Sequence, residues 1–407
     1  MAADMTATQK SFTDGTHRTV SPAATLDRVR PHLAAMGITR VANVTGLDRI
    51  GVPVVNAYRP NARALSVSQG KGLSLDAAKA SAVMEAIEGF HAEEIDLPLV
   101  PATAKEIAAR ARVIGTGGLA YLRGTRFDPD RPLLWAEGRD LMSGAPVWLP
   151  SELVHTDYTL PRGPQAACFV ASTNGLASGN TGTEALVHGI CEVIERDAHS
   201  LWDHAAMTAK GASQVDLNSV TDANCVSVLR ALRAAGMHVG VWDMTGDVGI
   251  ATFHCLINDT LDTGGHSGGG AGTHLSRDVA LLRALTEAVQ VRTNYITGAR
   301  DDLRAGEYEA NGIAAKTAYA HALAAAAPAQ LHAFDQVPTT RFDTLEEDLD
   351  WLLTRLDAVS VSEVIAVDLT KPRFDIPVQR VVIPGLEGPH DHADYCPGPR
   401  ARARNAP

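Results

Sequence analysis

Two stretches of the chain carry glutamates at spacings that place them on one face of a helix. Glu184, Glu192 and Glu195 lie in "NGLASGNTGTEALVHGICEVIERDA". At about 100° per residue, the second and third of these lie within roughly 80° of the first. Glu85 and Glu88, an i, i+3 pair in an earlier segment, also share a face. Because buried charges are costly unless they are paired or bind a metal, these carboxylates need a compensating partner.

A hard divalent cation is one such partner. Five carboxylates on two helix faces have the oxygen ligands that Mg²⁺ prefers, and Mg²⁺ in proteins is usually shared with substrate phosphates. Arg196 follows Glu195 directly and would balance phosphate charge. The alternative is an ordinary solvated stripe with ion pairs one helical turn apart. Clustered ionisable groups indicate a site only statistically, so the residues alone leave both interpretations open.

Other candidate motifs are less specific. Lys71 lies between two glycines in "SQGKG" and would act as a point charge on phosphate, or belong to a surface turn. Neither GxxxxGK[ST] nor GxGxxG occurs, so the familiar nucleotide-binding motifs are absent. The glycine-rich "HSGGGAGTH" predicts a flexible loop, and "HDHAD" predicts a solvated tail rather than a metal site. Arg283 and Arg292 would reach a triphosphate or form ordinary surface ion pairs.

Alternating helix and strand patterns must position these residues. Long helices are predicted for "SLDAAKASAVMEAIEGFHAEEI" with Ser74 as its cap, for about residues 182–204, and for "SRDVALLRALTEAVQVRTNYIT". A helix starting at Ser21-Pro22 and one over "TLEEDLDWLLTRL" are also predicted. Strands are predicted in "TRVANVTG", "GVPVVNAYRP", "GMHVGVWDMT", "IATFHCLIND", "EVIAVDLT" and "VQRVVIPG". The pattern indicates a mixed α/β (α+β) fold.

An internal similarity connects the three long helices. Each follows a Gly/Ser-rich stretch and carries an acidic residue well inside it: "SQGKGLSLDAAKASAVMEAIE", "ASGNTGTEALVHGICEVIER" and "GGGAGTHLSRDVALLRALTEAVQVR". Small residues before a helix let backbone N–H groups approach an anion at its positive end. We therefore expect a pseudo-repeated core whose helices face a shared site.

Composition limits the class of protein. The chain has 407 residues, 45% hydrophobic and 20% charged, with a formal net charge of −11, which gives no global positive field for nucleic acid. Five scattered cysteines without a CxxC motif predict reduced thiols and a cytoplasmic location. The chain starts with polar residues and has no long apolar run, which predicts that it does not span a membrane. We expect a disordered leader over residues 1–20, one domain over 21–388 and an irregular tail over 389–407.

Several long segments together resemble the YcaO family. They are "TGLDRIGVPVV", "SVSQGKGLSLDAAKASAVMEAIEGFHAE", "STNGLASGNTGTEALVHGICEVIERDA", "GAGTHLSRDVALLRALTEAVQVRTNYITGARDD" and "VQRVVIPGLEG". The resemblance implies the YcaO fold, with a family core over about residues 60–388 and long helices facing a central nucleotide site. It also implies ATP bound through Mg²⁺ by a fold unrelated to P-loop proteins.

The resemblance assigns site residues by motif. Those implied to contact ATP are Lys71, Ser81, Glu85, Ser178, Asn180, Glu184, Arg196 and Arg292. Those implied to hold Mg²⁺ are Glu88, Glu184, Glu192 and Glu195. One position departs from the pattern of some relatives, because Ala177 cannot supply a hydroxyl and Ser178 is the neighbour that can. No catalytic residue is assigned.

The implied reaction is ATP-dependent activation of a peptide backbone amide. A nucleophile adds to the carbonyl, the amide oxygen is phosphorylated, and phosphate leaves with that oxygen. An external sulfur donor gives a thioamide, whereas a neighbouring side chain of the substrate gives an azoline. The chain ends "CPGPRARARNAP", which lacks a full Pro-x-Pro-x-Pro motif.

The incomplete proline motif and the segments quoted above together resemble the subgroup that acts beside a TfuA-like protein in peptide thioamidation. We therefore expect a thioamide-forming enzyme of ribosomal peptide modification. It would be a homodimer that acts with a TfuA-like partner and a sulfur donor on a peptide or protein. The alternatives are an azoline-forming cyclodehydratase and a non-catalytic ATP-binding accessory factor for the methylthiolation of a ribosomal protein. Fold resemblance alone does not choose among them.

Overall fold

The computed structural model of the chain describes residues 8–160, 168–261, 265–388 and 395–404, which contain ten α-helices and fourteen β-strands. This is the mixed α/β architecture that the sequence predicts. Within these residues, no helix is long and apolar enough to cross a membrane. All five cysteines are free thiols.

The predicted long helices and the predicted strands are all present. The helices are Pro22–Val29 (α1), Leu75–Glu93 (α2), Ala104–Ala108 (α3), Gly182–Asp203 (α4), Met207–Ala212 (α5), Ala223–Ala234 (α6), Arg277–Thr297 (α7), Ala310–Ala325 (α8), Leu345–Ala358 (α9) and Pro399–Arg404 (α10). The strands are Arg40–Asn43 (β1), Val54–Tyr58 (β2), Val67–Lys71 (β3), Val100–Ala102 (β4), Leu133–Asp140 (β5), Pro146–Pro150 (β6), Leu176–Ser178 (β7), Val215–Asp216 (β8), Met237–Asp243 (β9), Thr252–Asp259 (β10), Gly268–Thr273 (β11), His332–Ala333 (β12), Ile365–Asp368 (β13) and Val378–Val382 (β14).

The chain divides into two compact units. The first unit comprises Met1–Ser21, Ile87–Ser200 and Arg341–Pro407, and the second comprises Pro22–Ala86 and Leu201–Thr340. The single domain predicted over residues 21–388 therefore contains parts of both units.

The first unit is built around a six-stranded antiparallel sheet. Its strand order is β4-β5-β13-β14-β7, and β6 pairs with β5. Strand β7 lies at one edge, where Ser178 pairs with Val378 of β14. Because α4 begins four residues after β7 ends, the edge strand places the N-terminus of α4 beside the sheet.

The second unit contains two three-stranded antiparallel sheets and a short parallel pair. The strand orders are β1-β2-β3 and β11-β10-β9, and β12 pairs with β8. One apolar core joins the second sheet to α6 and α7, with Leu232, Val241, Phe253 and Leu285 fully buried in it. Burying these side chains is the main contribution that holds the helices on the sheet.

The internal similarity found in the sequence corresponds to three strand–helix pairs: β3 with α2, β7 with α4, and β11 with α7. The segment "HSGGGAGTH", predicted to be a flexible loop, instead contains strand β11. A Cβ atom added to Gly270 would lie 2.4 Å from the main-chain oxygen of Ala284, and one added to Gly70 would lie 2.1 Å from that of Ala78. These glycines let a strand pack directly on its helix, whereas the sequence suggested that they serve the approach of an anion.

Residues 8–20 belong to the segment for which the sequence predicts disorder, and the structure corrects that prediction for them. Lys10 forms an ion pair with Asp348 of α9 at 2.7 Å, and Gln9 pairs with Thr344. Phe12 and Arg18 pair with each other in a short hairpin. Composition could not predict these contacts, because Lys10 and Asp348 are more than 300 positions apart in the chain. Residues 1–7 lie outside the described residues.

The C-terminal tail was predicted to be irregular, yet residues 399–404 form helix α10. Arg400 donates to both carboxylate oxygens of Asp197 at 2.9 Å, and the N–H of Ala401 donates to Glu387 at 2.8 Å. These tertiary contacts stabilise a helix too short to be stable alone. The "HDHAD" motif at 390–394 lies outside the described residues.

Replacing Arg400 with leucine is expected to release the C-terminal helix. Asp197 is 1% exposed, so removing its partner leaves a buried carboxylate uncompensated, at a cost of about 3 kcal/mol. Limited proteolysis should then cleave the C-terminal segment faster, and the melting temperature should fall. Arg402→Leu, in the same helix at an exposed position, is the matched control and should behave like the wild type. Equal protease resistance of the two variants would contradict this role of Arg400.

Candidate nucleotide and metal site

Glu184 lies in the first turn of α4 and is 3% exposed. Its Oε1 atom accepts from the main-chain N–H and the side-chain amide of Asn180, at 3.1 and 2.9 Å. The same atom accepts from Arg18 Nη1 at 3.2 Å. Its Oε2 atom accepts from the N–H and the hydroxyl of Thr19, both at 2.9 Å. Glu184 is therefore a fixed carboxylate with five donors around it.

The charge state of Glu184 follows from these contacts. Burial raises the pKa of this carboxyl, but the Arg18 guanidinium and the donors of Thr19 and Asn180 outweigh burial, and the net pKa lies below its usual value. The positive end of the α4 dipole acts in the same direction. Glu184 is consequently ionised at neutral pH, and Arg18 compensates its charge in this structure.

Glu88 is fixed by the edge strand of the first-unit sheet. Its Oε1 atom accepts from both the N–H and the hydroxyl of Ser178, each at 2.7 Å. Ser178 is buried at the end of β7. The sequence predicted both residues for the site, and the structure brings them together, with Ser178 as a positioning group for the Glu88 carboxylate.

Glu192, Glu195 and Arg196 lie further along α4. Glu195 is 3% exposed, and its Oε1 atom is 3.7 Å from Nη1 of Arg196. Glu192 is half-buried and interacts electrostatically with the buried Arg380 of β14. Both carboxylates on this part of α4 therefore have a basic group near them in the first unit.

The four predicted metal ligands do not form a closed metal centre in the described residues, which contain no group of three or more His, Cys, Asp or Glu side chains close enough to hold an ion. The donor chemistry nevertheless fits Mg²⁺, because all four are carboxylates and Glu184 is held ionised. Arg18 and Thr19 occupy the Glu184 oxygens, so the guanidinium supplies the positive charge there.

In the second unit, Lys71 lies at the end of β3 rather than in the predicted loop. Its Nζ atom is 2.6 Å from Oε2 of Glu287 on α7. Glu287 was not predicted for the site, although it is the acidic residue inside the third repeat. The matching positions of the other two repeats carry glutamates that were predicted, so the repeat itself was the available signal.

Ser81 and Glu85 lie one turn apart on α2, Ser81 half-buried and Glu85 exposed. Glu85 interacts electrostatically with Arg300 of the same unit, whose pKa is raised mainly by its hydrogen bond to Asp302. Both side chains thus lie on one side of the helix that continues to Glu88.

Arg292 forms buried ion pairs, whereas the sequence favoured a contact to a triphosphate or ordinary surface ion pairs. It is 4% exposed, and its Nε and Nη2 atoms donate at 2.9 Å to Asp48 and Asp259. Its Nη1 atom donates to the main-chain oxygen of His266. All three nitrogens are therefore used inside the second unit, and a buried ion-pair network accounts for this arginine without a nucleotide.

A comparison with protein families establishes the relationship of the chain. The family model described as YcaO cyclodehydratase, ATP- and Mg²⁺-binding, matches residues 69–387. The chain belongs to the YcaO family. The family binds ATP and Mg²⁺, so nucleotide and metal are cofactors expected of this YcaO chain.

Two relatives match nearly the whole length of this YcaO chain. A protein of Rhizobium leguminosarum bv. trifolii, described as lying in the tfuA 3′ region, is 36% identical over 95% of this chain and 92% of its own length. A protein of Methanothermobacter thermautotrophicus is 34% identical over 90% of this chain and 94% of its own length.

Solved structures share the fold. YcaO from Methanopyrus kandleri, bound with AMPPCP and Mg²⁺, has a TM-score of 0.76 at 22% identity, over 96% of this chain and 98% of that one. A heterocyclase in complex with substrate and cofactor has a TM-score of 0.78 at 22% identity over 95% of this chain, which spans 54% of the heterocyclase. At this identity the likeness shows the YcaO fold alone.

Proposed function

We propose that this chain is an ATP-dependent enzyme that converts a peptide backbone amide into a thioamide, acting with a TfuA-like partner. The observation that carries the thioamide assignment is the full-length similarity to the Rhizobium protein of the tfuA 3′ region. A gene position beside tfuA in a relative supports a TfuA-like partner for this chain. The thioamide product follows from the resemblance to the subgroup that acts beside such a partner.

The proposed metal ligands are Glu88, Glu184, Glu192 and Glu195, all in the first unit. Bound Mg²⁺ would neutralise the charge that develops on ADP as it leaves. Ser178 and Asn180 hold Glu88 and Glu184 by the hydrogen bonds described above, which fixes the two carboxylates before any ligand arrives. Arg196 would contact the phosphates as a fixed cation.

The nucleotide contacts proposed in the second unit are Lys71, Ser81 and Glu85. Lys71 is held by Glu287, which keeps its ammonium group at the end of β3. Arg292 is left out of the proposed set, because its donors are engaged by Asp48, Asp259 and His266. Its proposed role is to hold β10 and the Asp48 turn to α7.

The proposed reaction balances in atoms and charge. Hydrosulfide adds to the amide carbonyl, ATP transfers its terminal phosphoryl group to the amide oxygen, and the carbon–oxygen bond breaks. The products are the thioamide, ADP and phosphate, and the phosphate carries the amide oxygen and the proton of hydrosulfide. Phosphorylation is needed because an amide oxygen is a very poor leaving group until it carries a phosphoryl group.

Deleting the gene in its native host tests the proposal even though the substrate peptide is unidentified. Peptides and proteins of the deletion strain would be compared by mass spectrometry with strains complemented by the wild type or by Glu184→Gln. We expect a peptide or protein whose mass is higher by the difference between sulfur and oxygen, and we expect it only in strains that carry the wild-type gene. Loss of water in place of that exchange would support the azoline-forming alternative and contradict the thioamide. A gene-dependent methylthio group on a ribosomal protein, without any oxygen-to-sulfur exchange, would support the accessory role.

A further inference from the structure

Strands β2 and β3 and helix α7 of the second unit carry four buried carboxamide side chains. They are between 0% and 9% exposed and belong to Asn56, Gln69, Gln290 and Asn294. The side-chain oxygen of each, and the side-chain nitrogen of Gln69, have no hydrogen-bond partner among the described residues. A buried polar atom without a partner carries a desolvation cost, so four such side chains in one unit need an explanation.

The two strand residues of this set project from the same face of the β1-β2-β3 sheet. Asn56 and Gln69 are paired in register across β2 and β3, which places their Cβ atoms about 5 Å apart. The other face of the sheet packs on α2, because a Cβ added to Gly70 would overlap the main chain of Ala78. Successive residues of a strand alternate in direction, so Gln69 points away from α2.

Helix α7 packs against β3, and two contacts set its direction. Lys71 follows Gln69 by two residues on the same face of the strand, and its Nζ atom is 2.6 Å from Oε2 of Glu287. Before the start of β3, the N–H of Ser66 donates at 3.2 Å to Asp301, which lies just beyond the end of α7. Strand β3 and helix α7 therefore run antiparallel, with a contact at each end.

The two carboxamides of α7 lie between these end contacts. Gln290 and Asn294 follow Glu287 by three and seven residues, so all three share one face of the helix. At a rise of about 1.5 Å per residue, they lie about 4.5 Å and about 10.5 Å along α7 from Glu287. Gln69 lies about 6.6 Å along β3 from Lys71, the partner of Glu287, and hence at a level between them. The four side chains thus lie in one layer, the carboxamide cluster.

The unpaired atoms of the carboxamide cluster favour a cation. Four of the five are oxygens, which only accept, so they match an electropositive ligand and not an anion. One water molecule donates only two hydrogen bonds, whereas one cation can be coordinated by all four oxygens. The ligands are neutral, and divalent cations usually also require carboxylates. The nearby Lys71 ammonium group is compensated by Glu287, so it does not oppose a single positive charge.

We propose that the carboxamide cluster binds a potassium ion through its four side-chain oxygens. Neutral carbonyl oxygens can replace the hydration shell of potassium, as they do in selective channels. The ion would join β2 and β3 to α7 and supply the partner that each buried oxygen lacks. This inference goes beyond the proposed function, because it needs neither ATP nor a thioamide product.

Thermal unfolding of the purified full-length protein tests the site, in potassium chloride, sodium chloride or choline chloride at equal ionic strength. Neither ATP nor Mg²⁺ is added, and choline serves as a cation too large for the cluster. We expect the melting temperature to be highest in potassium chloride, by about 3 °C or more over choline chloride. It should also rise with potassium concentration, because an ion that binds only the folded state stabilises that state by mass action.

Gln69→Met and Gln290→Met each keep the length of the side chain and remove its amide atoms. We expect both variants to lose most of the potassium-dependent rise. In choline chloride they should melt no lower than the wild type, because each substitution removes a buried polar group without a described partner. Gln330→Met is the matched control, since Gln330 is exposed in the same unit, and it should keep the full rise.

A wild-type melting temperature that is equal in potassium and choline would overturn the proposal. A rise that sodium produces equally, or that Gln290→Met retains in full, would indicate a general salt effect and would also overturn it. If Gln69→Met does not fold, Gln290→Met decides alone. Because ATP is absent from the experiment, failure of the potassium site and failure of the proposed function are separate results.

Discussion

Replacing Glu184 with glutamine is expected to abolish Mg²⁺-dependent ATP hydrolysis while the protein stays folded. The carboxylate is 3% exposed and is held ionised by five donors, so the amide would remove the negative charge at the point where the cation is proposed to bind. Activity should fall by about a hundredfold or more, because even groups that only orient a metal ligand contribute about 10–100-fold. Steady-state phosphate release at several Mg²⁺ concentrations measures the effect.

Arg18→Gln is the matched control for this variant. Both substitutions break the Arg18–Glu184 ion pair, but only Glu184→Gln removes the carboxylate. We expect Arg18→Gln to be less stable than the wild type, because a buried carboxylate loses its guanidinium, but to retain hydrolysis within about fivefold, since the Glu184 carboxylate and its four donors from Thr19 and Asn180 remain. If the two variants lost activity equally, the ion pair and not the metal ligand would explain the effect. Full activity of Glu184→Gln would remove Glu184 from the proposed metal set.

Replacing Gly270 with alanine is expected to cause a large loss of stability. The added Cβ would lie 2.4 Å from both the Ala284 oxygen and the Ala288 nitrogen, which are backbone atoms of α7 and cannot rotate away. Strand and helix would have to separate, at a cost of about 3 kcal/mol. The melting temperature and the soluble yield should both fall clearly.

Gly269→Ala is the neighbouring control on the opposite face of β11. Its Cβ would lie 3.3 Å from the end of the Leu256 side chain, which can move. We expect this variant to melt within a few degrees of the wild type, since small surface-like changes cost about 0.5 kcal/mol or less. A Gly270→Ala protein as stable as Gly269→Ala would show that the close packing of β11 on α7 does not need glycine.

The helix and strand patterns could be predicted from the sequence where periodicity was strong. Ser74 caps α2 as predicted, with its hydroxyl accepting from the N–H of Ala77 at 3.2 Å. Strand β11 was missed because three consecutive glycines carry no apolar alternation, and only the packing on α7 explains them. Helix α8 was missed because its alanine-rich sequence has no apolar stripe along one face.

The candidate site was predicted in part. The spacing of glutamates on two helix faces indicated Glu88 and Glu184, which the structure holds in place through Ser178 and Asn180. Arg18 and Thr19 could not be found this way, because they lie in a polar leader and reach Glu184 from 166 and 165 residues away. A contact at that separation depends on the tertiary fold, which no local pattern encodes.

The contacts of Arg18 and Lys71 share one physical feature. In each unit, a basic side chain is already paired with a glutamate of a repeat helix: Arg18 with Glu184 in the first and Lys71 with Glu287 in the second. Such pairs lower the cost of partly burying carboxylates when no cation is bound.

The most direct test of the nucleotide site is a calorimetric titration of ATP, with and without Mg²⁺, into the wild type and Glu195→Gln side by side. Glu195 is 3% exposed on α4, and its replacement keeps the shape of the side chain while removing its charge. We predict binding to the wild type that requires Mg²⁺ and is lost in the variant. ATP binding that is equal in the two proteins, or that does not depend on Mg²⁺, would contradict the proposed metal-bound nucleotide.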